Sequence, residues 1–145
     1  MATAGFLIGV LSTVGILIVS HNHIGTELIN TARQMLSCCP LPTKVISIEV
    51  KDNPDAIRKQ LDGELIGLDQ GNGILILTDM FGSTPSNIAC AVSDREDIRI
   101  VSGLNLPMLI RVLNYPTLSL DELENKAVSG GQEGIVRCHH SGYRP

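Results

Sequence analysis

The stretch Val14-Gly-Ile-Leu-Ile-Val-Ser-His21-Asn-His23-Ile-Gly25 decides the fold. Ile16, Leu17, Ile18 and Val19 form an unbroken apolar run, which suits a strand covered on both faces in a parallel sheet. Past the polar turn, Leu28, Ile29, Ala32, Met35 and Leu36 recur at helical spacing and predict one buried helix face. The unit is strand, short loop, helix, with His21 at the carboxyl end of the strand. In open α/β sheets ligands gather at that end. The amino terminus of the following helix also offers N–H groups to an anion. His21 is therefore the first candidate functional residue.

Working outward, Cys38-Cys-Pro-Leu-Pro42 stops the first helix, because proline cannot continue it. Lys44–Val50 alternates and predicts a second strand, nearer a sheet edge. Asn53-Pro54 predicts a helix start, Asn as N-cap and Pro at the first helical position, with Ile57, Leu61, Leu65 and Leu68 inward. After the Gly71-Asn-Gly73 turn, Gly73-Ile-Leu-Ile-Leu-Thr78 is as apolar as the first strand and predicts another central one. Thr84-Pro85 opens a short helix over Ser86–Val92. Ile98–Ser102 predicts a fourth strand, and Leu106, Leu109, Ile110 and Leu113 line the helix after it. Ser119-Leu-Asp-Glu122 is a capping box opening a last helix, expected to end at Gly130-Gly131. Gly134-Ile-Val-Arg137 is expected to be a short final strand.

The order βαβαβαβααβ indicates an α/β, doubly wound, mainly parallel sheet flanked by helices. The expected boundaries are an extension over 1–13, one domain over 14–137 and a polar tail over 138–145.

Composition narrows the function. The 145 residues are 43% hydrophobic but only 3% aromatic, so the core is aliphatic. A net charge of −4 with no basic run argues against nucleic-acid binding. Cys38, Cys39, Cys90 and Cys138 match neither zinc-finger nor CxxC spacing, so reduced thiols in a cytoplasmic protein are expected. Residues 1–20 carry no charge and superficially resemble a membrane span. Gly5, Gly9, Ser12, Thr13 and Gly15 interrupt them, however, and a span would consume the strand that presents His21. No cationic segment marks a signal peptide.

Two central strands deliver two loops to one sheet edge, one carrying His21 and the other Asp79. A carboxylate that accepts a hydrogen bond from one imidazole nitrogen fixes the tautomer and leaves the other nitrogen as a nucleophile. The hydroxyls of Ser83 and Thr84, with the N–H groups of the helix that follows, suit phosphate oxygens. Together these groups suggest phosphoryl transfer through phosphohistidine. Plainer readings stand beside this one: a hydrogen-bonded loop histidine, a loop-stabilising carboxylate, and ordinary capping by Ser83 and Thr84. A metal site from His21, His23 and Asp79, with His139 and His140, is the rival chemistry, although no motif supports it.

Three segments carry a resemblance. Gly15–Gly25, Leu77–Asn87 and Ser102–Leu109 resemble the mannose-type enzyme IIA domain of the bacterial phosphoenolpyruvate-dependent sugar phosphotransferase system (PTS), over about Val14 to Arg137. The resemblance implies that His21 matches the phosphorylated histidine, Asp79 the aspartate that orients it, and Thr84 the hydroxyl residue beside the site. It implies no cofactor. Phosphate would arrive from phospho-HPr and leave to an enzyme IIB partner, with membrane contact only through a permease complex. It also implies a homodimer in which the last strand joins the partner's sheet. Two features depart from the pattern. Residues 1–13 have no counterpart, and Asn22 and His23 stand where glycine and an apolar or aromatic residue are common. A regulatory module of the same chemistry, read by another protein without sugar transport, and a metal- or ligand-binding α/β protein are the alternatives.

Overall fold

Two apolar strands, β1 (Gly15–His21) and β3 (Ile74–Thr78), lie side by side at the centre of the sheet. Edge strands β2 (Thr43–Ile48) and β4 (Ile98–Ser102) flank them, giving a four-stranded sheet of order β2-β1-β3-β4. Every pairing is parallel. The computed structural model describes residues 12–37, 41–139 and 142–143. Expectations that concern residues 1–11, Cys38, Cys39 and His140 lie outside the described residues.

The unbroken apolar runs have a simple cause. Successive strand residues point to opposite faces, and each face is covered by helices. Ile16, Ile18, Leu75 and Leu77 face α1 (Ile24–Leu36), α4 (Leu106–Leu113) and α5 (Leu120–Glu133). Leu17, Val19, Ile74 and Ile76 face α2 (Pro54–Leu68) and α3 (Thr84–Cys90). These eight side chains are fully buried. Each contributes about 1.5–3 kcal/mol by leaving water, so the two central strands are the firmest part of the fold.

Local signals set the helix starts. Asn53 accepts from the Asp55 N–H at 2.9 Å, and Asn105 from the Met108 N–H at 2.9 Å. Ser119 and Glu122 form the reciprocal capping box. α1 has no side-chain cap. Instead the Gly25 N–H donates to the buried Ser20 Oγ at 2.9 Å. A Cβ on Gly25 would lie 2.6 Å from both that oxygen and Ile18 Cγ2. Glycine is what lets the first turn of α1 lie against β1.

The structure corrects four expectations. Met35 is 61% exposed, because the buried face of α1 centres on Ile29 and Ala32. α3 spans Thr84–Cys90, with Ser83 in the N-cap position and Pro85 in the first turn. α5 does not stop at Gly130-Gly131 but continues to Glu133. Those glycines sit against α4: a Cβ on Gly130 would lie 2.7 Å from Arg111 Cβ, and one on Gly131 2.9 Å from Met108 Cε. They serve close helix contact rather than termination. Finally, Gly134–Arg137 is not a strand; β5 (Cys138–His139) and β6 (Gly142–Tyr143) instead pair with each other as an antiparallel hairpin apart from the main sheet.

At the other end, Ser12 and Thr13 are tied to the turn before β3. Asn72 Nδ2 donates to the Ser12 carbonyl at 2.7 Å, and the Thr13 N–H donates to Gln70 Oε1 at 3.0 Å. Among the described residues no helix is long and apolar enough to cross a membrane.

Candidate functional site

From β1 the chain crosses one way to β2 and the other way to β3, so the strand order reverses between β1 and β3. Loops diverge there and leave a crevice at the carboxyl edge. Val19 pairs with Thr78, which puts Asp79, one residue past β3, beside Ser20 and His21 at the end of β1. The Thr78 carbonyl accepts from the Gly103 and Leu104 N–H groups at 3.0 and 2.9 Å, and the Thr78 and Ser102 hydroxyls share a 2.7 Å hydrogen bond. The end of β3 is thereby clamped to that of β4.

Asp79 Oδ2 lies 2.8 Å from His21 Nδ1 and accepts from the His21 backbone N–H at 3.0 Å. Asp79 Oδ1 accepts from the Met80 N–H at 3.1 Å. A carboxylate only accepts, so in the neutral ring the proton sits on Nδ1 and Nε2 keeps its lone pair. The carboxylate is 10% exposed and the imidazole 37%. The carboxylate is covered while the ring is reachable.

Asn22, next in the chain, takes φ +47°, a left-handed conformation that asparagine tolerates better than most residues. Its N–H donates to the Ile48 carbonyl at 2.9 Å, so the turn after His21 is held to β2. His23 occupies the N-cap position of α1 and is exposed. Thr84 lines a cavity of about 280 Å³ together with His21. Ser83 does not line it; its hydroxyl donates to the Met80 carbonyl.

The cavity also takes Glu49, Val50 and Asp52 from the turn after β2, residues that motif reading passes over. The signal for them was positional: β2 neighbours β1, so the loop leaving its carboxyl end must reach the same edge. Met80 and Phe81, just past Asp79, expose large apolar side chains. Among the described residues no three His, Cys, Asp or Glu side chains gather as a metal site. Cys90 and Cys138 are exposed free thiols.

Comparison with known proteins gives a consistent picture. Residues 15–128 match the family EIIA-man, described as "PTS system fructose IIA component". The chain is 31% identical over 126 residues to the PTS system mannose-specific EIIAB component of Escherichia coli (strain K12), an alignment covering 85% of this chain and 39% of that protein. The chain therefore spans well under half the length of the curated mannose-specific relatives it matches. Among solved structures it is similar to the PTS component EIIA from Streptococcus agalactiae, at 28% identity and a TM-score of 0.74, covering 86% of this chain and 96% of that one. It shares its fold with the mannose/sorbose-specific IIA subunit from Enterococcus faecalis, at 24% identity and a TM-score of 0.78, covering 88% and 96%.

Proposed function

The chain belongs to the EIIA-man family of PTS IIA components, and from that premise we propose that it is a phosphocarrier working through His21. In this reading phospho-HPr delivers the phosphoryl group to His21 Nε2, and an enzyme IIB partner removes it for sugar uptake. One observation carries the proposal: the 2.8 Å contact between His21 Nδ1 and Asp79 Oδ2, made at the point where the strand order reverses.

The chemistry follows from that contact. The Nε2 lone pair attacks phosphorus, the donor's phosphorus–nitrogen bond breaks, and its electron pair returns to the donor ring. The accepting ring, bonded at Nε2 and still protonated at Nδ1, becomes positively charged. Asp79 stabilises that charge without moving, as a preorganised carboxylate does beside an imidazolium. Thr84 supplies a hydroxyl from the cavity wall to a phosphoryl oxygen. Ser83 reaches phosphate only by exchanging its bond to Met80. Exposed Met80 and Phe81 offer a partner protein apolar surface beside the ring.

The carrier unit in this reading is residues 14–137, it works in the cytoplasm, and it acts as a homodimer. The test is labelling from phosphoenolpyruvate through enzyme I and HPr. Wild type should carry acid-labile, alkali-stable phosphate, His23→Ala should retain it, and His21→Ala should lose it. Label that survives His21→Ala and disappears with His23→Ala moves the site by two residues. An unlabelled wild type ends the phosphocarrier reading.

A further inference from the structure

The turn after β2 brings negative charge to the cavity of His21. Glu49 and Asp52 both line that cavity, and no lysine or arginine is among its lining residues. The two acids are not equivalent. The Glu49 N–H donates to Asp52 Oδ2 at 2.7 Å, and the Asp52 N–H donates to the Glu49 carbonyl at 3.0 Å. The carboxylate of Asp52 is thus committed to closing the turn. That of Glu49 is not; its Oε2 meets Lys51 Nζ at 3.1 Å, in a pair whose lysine is 81% exposed. Phosphate sites built for retention place cations or bidentate arginines against the oxygens. This cavity does the reverse.

We propose that Glu49 raises the transfer potential of a phosphoryl group on His21, and that Lys51 sets how far. The proposal rests on reading His21 as the phosphoryl acceptor. His21 and Glu49 line one cavity, so a phosphoryl group on His21 shares that space with Glu49, an interaction that salt screens. In the outward step an acceptor nucleophile attacks phosphorus, the Nε2–phosphorus bond breaks, and its electron pair returns to the imidazole. The dianionic group leaves the cavity, so its repulsion from Glu49 is relieved on transfer out and built up on transfer in. Lys51 offsets part of that repulsion. The pair makes His21 a relay rather than a store.

The experiment measures how labelled phosphate divides between HPr and the chain at equilibrium, which is independent of docking rates. Wild type, Glu49→Gln and Lys51→Met are compared at about 0.1 M and 1 M salt, where screening lengths are about 10 and 3 Å. Glu49→Gln should move the division toward the chain by about 3- to 10-fold, the size expected for one charge acting on a dianion across a wet cavity. Lys51→Met should move it toward HPr, and both shifts should shrink at high salt. A division unchanged in Glu49→Gln, or both variants shifting the same way, overturns the proposal and leaves the carrier reading standing. A wild type that takes no label from HPr removes the carrier reading, and this proposal with it.

Discussion

At the scale of single residues, the site is built from few contacts, and each makes a separable prediction. Asp79 Oδ2 receives both the Nδ1–H and the backbone N–H of His21. Asn at this position keeps the shape but removes the charge and offers an NH₂ where an acceptor stood. Asp79→Asn should therefore slow phosphoryl acceptance by up to about 10⁴-fold, the cost seen when a histidine loses its orienting carboxylate. Quench-flow labelling from phospho-HPr checks this, and a rate within a factor of two of wild type would deny Asp79 the role. Asn22 is a backbone matter. At φ +47° glycine would fit freely, whereas Asn22→Val should cost about 1–2 kcal/mol. Urea denaturation of the Gly and Val variants separates the two, and equal stabilities would mean the turn relaxes at no cost. The placement of His21 and Asp79 at the ends of β1 and β3 was legible in the sequence, because apolar runs that end abruptly in a polar group mark strand ends. Glu49 was not, since nothing in its own neighbourhood distinguishes it from a solvated strand-end acid; only the order β2-β1 places it at the cavity.

At the scale of elements, the ends of helices show where local grammar and tertiary packing disagree. Asn53-Pro54, Asn105 and Ser119–Glu122 announce helix starts through their own hydrogen bonds, so a sequence reader finds them. Gly130-Gly131 uses the same vocabulary for another purpose. Both glycines are buried where α5 crosses α4, and a helix partner about twenty residues back in the chain leaves no local signal. The two should respond differently to alanine, which gains roughly 1 kcal/mol of helix propensity over glycine at either site. At Gly130 the new Cβ meets Arg111 Cβ at 2.7 Å, an atom fixed to the backbone. Overpacking of that kind costs about 1–3 kcal/mol, so Gly130→Ala should be destabilising overall. At Gly131 the nearest atom is the flexible tip of Met108, at 2.9 Å. Gly131→Ala should be neutral or stabilising by up to about 1 kcal/mol. Thermal unfolding of the two variants decides the matter, and a reversed order would mean that α5 shifts on α4 more readily than its packing implies. Met35 was misplaced for a related reason: helical spacing predicts a face, but the width of the covered stripe depends on the neighbours.

At the scale of the whole molecule, helices cover both faces of the sheet, and among the described residues no further strand pairs with β2 or β4 on their outer sides. β4 is an edge strand, and natural sheets rarely leave such an edge without cover. Beside it runs a groove of about 240 Å³, lined by Val101, Gly103, Met108, Val128, Gly131 and Ile135, among others. The segment that follows α5 carries Ile135 at 80% and Val136 at 40% exposure, two apolar residues of a type that favours strands. Within one chain Ile135 is mostly in water and Val136 partly so. Residues 134–137 form no strand in the single subunit, yet their apolar side chains remain to be covered: a second copy could give them an edge to join and a groove to enter. An exchange of this kind is reciprocal, so it closes as a two-fold dimer and cannot propagate. Sedimentation equilibrium on the full chain and on one ending at Gly134 tests the arrangement, because α5 ends at Glu133 and stays whole in both. The full chain should be dimeric. The shortened one should dissociate at least about tenfold more readily, since losing two buried aliphatic side chains per subunit removes several kcal/mol from the interface. A monomeric full chain, or a dimer indifferent to the truncation, would show that the edge of β4 is covered in some other way.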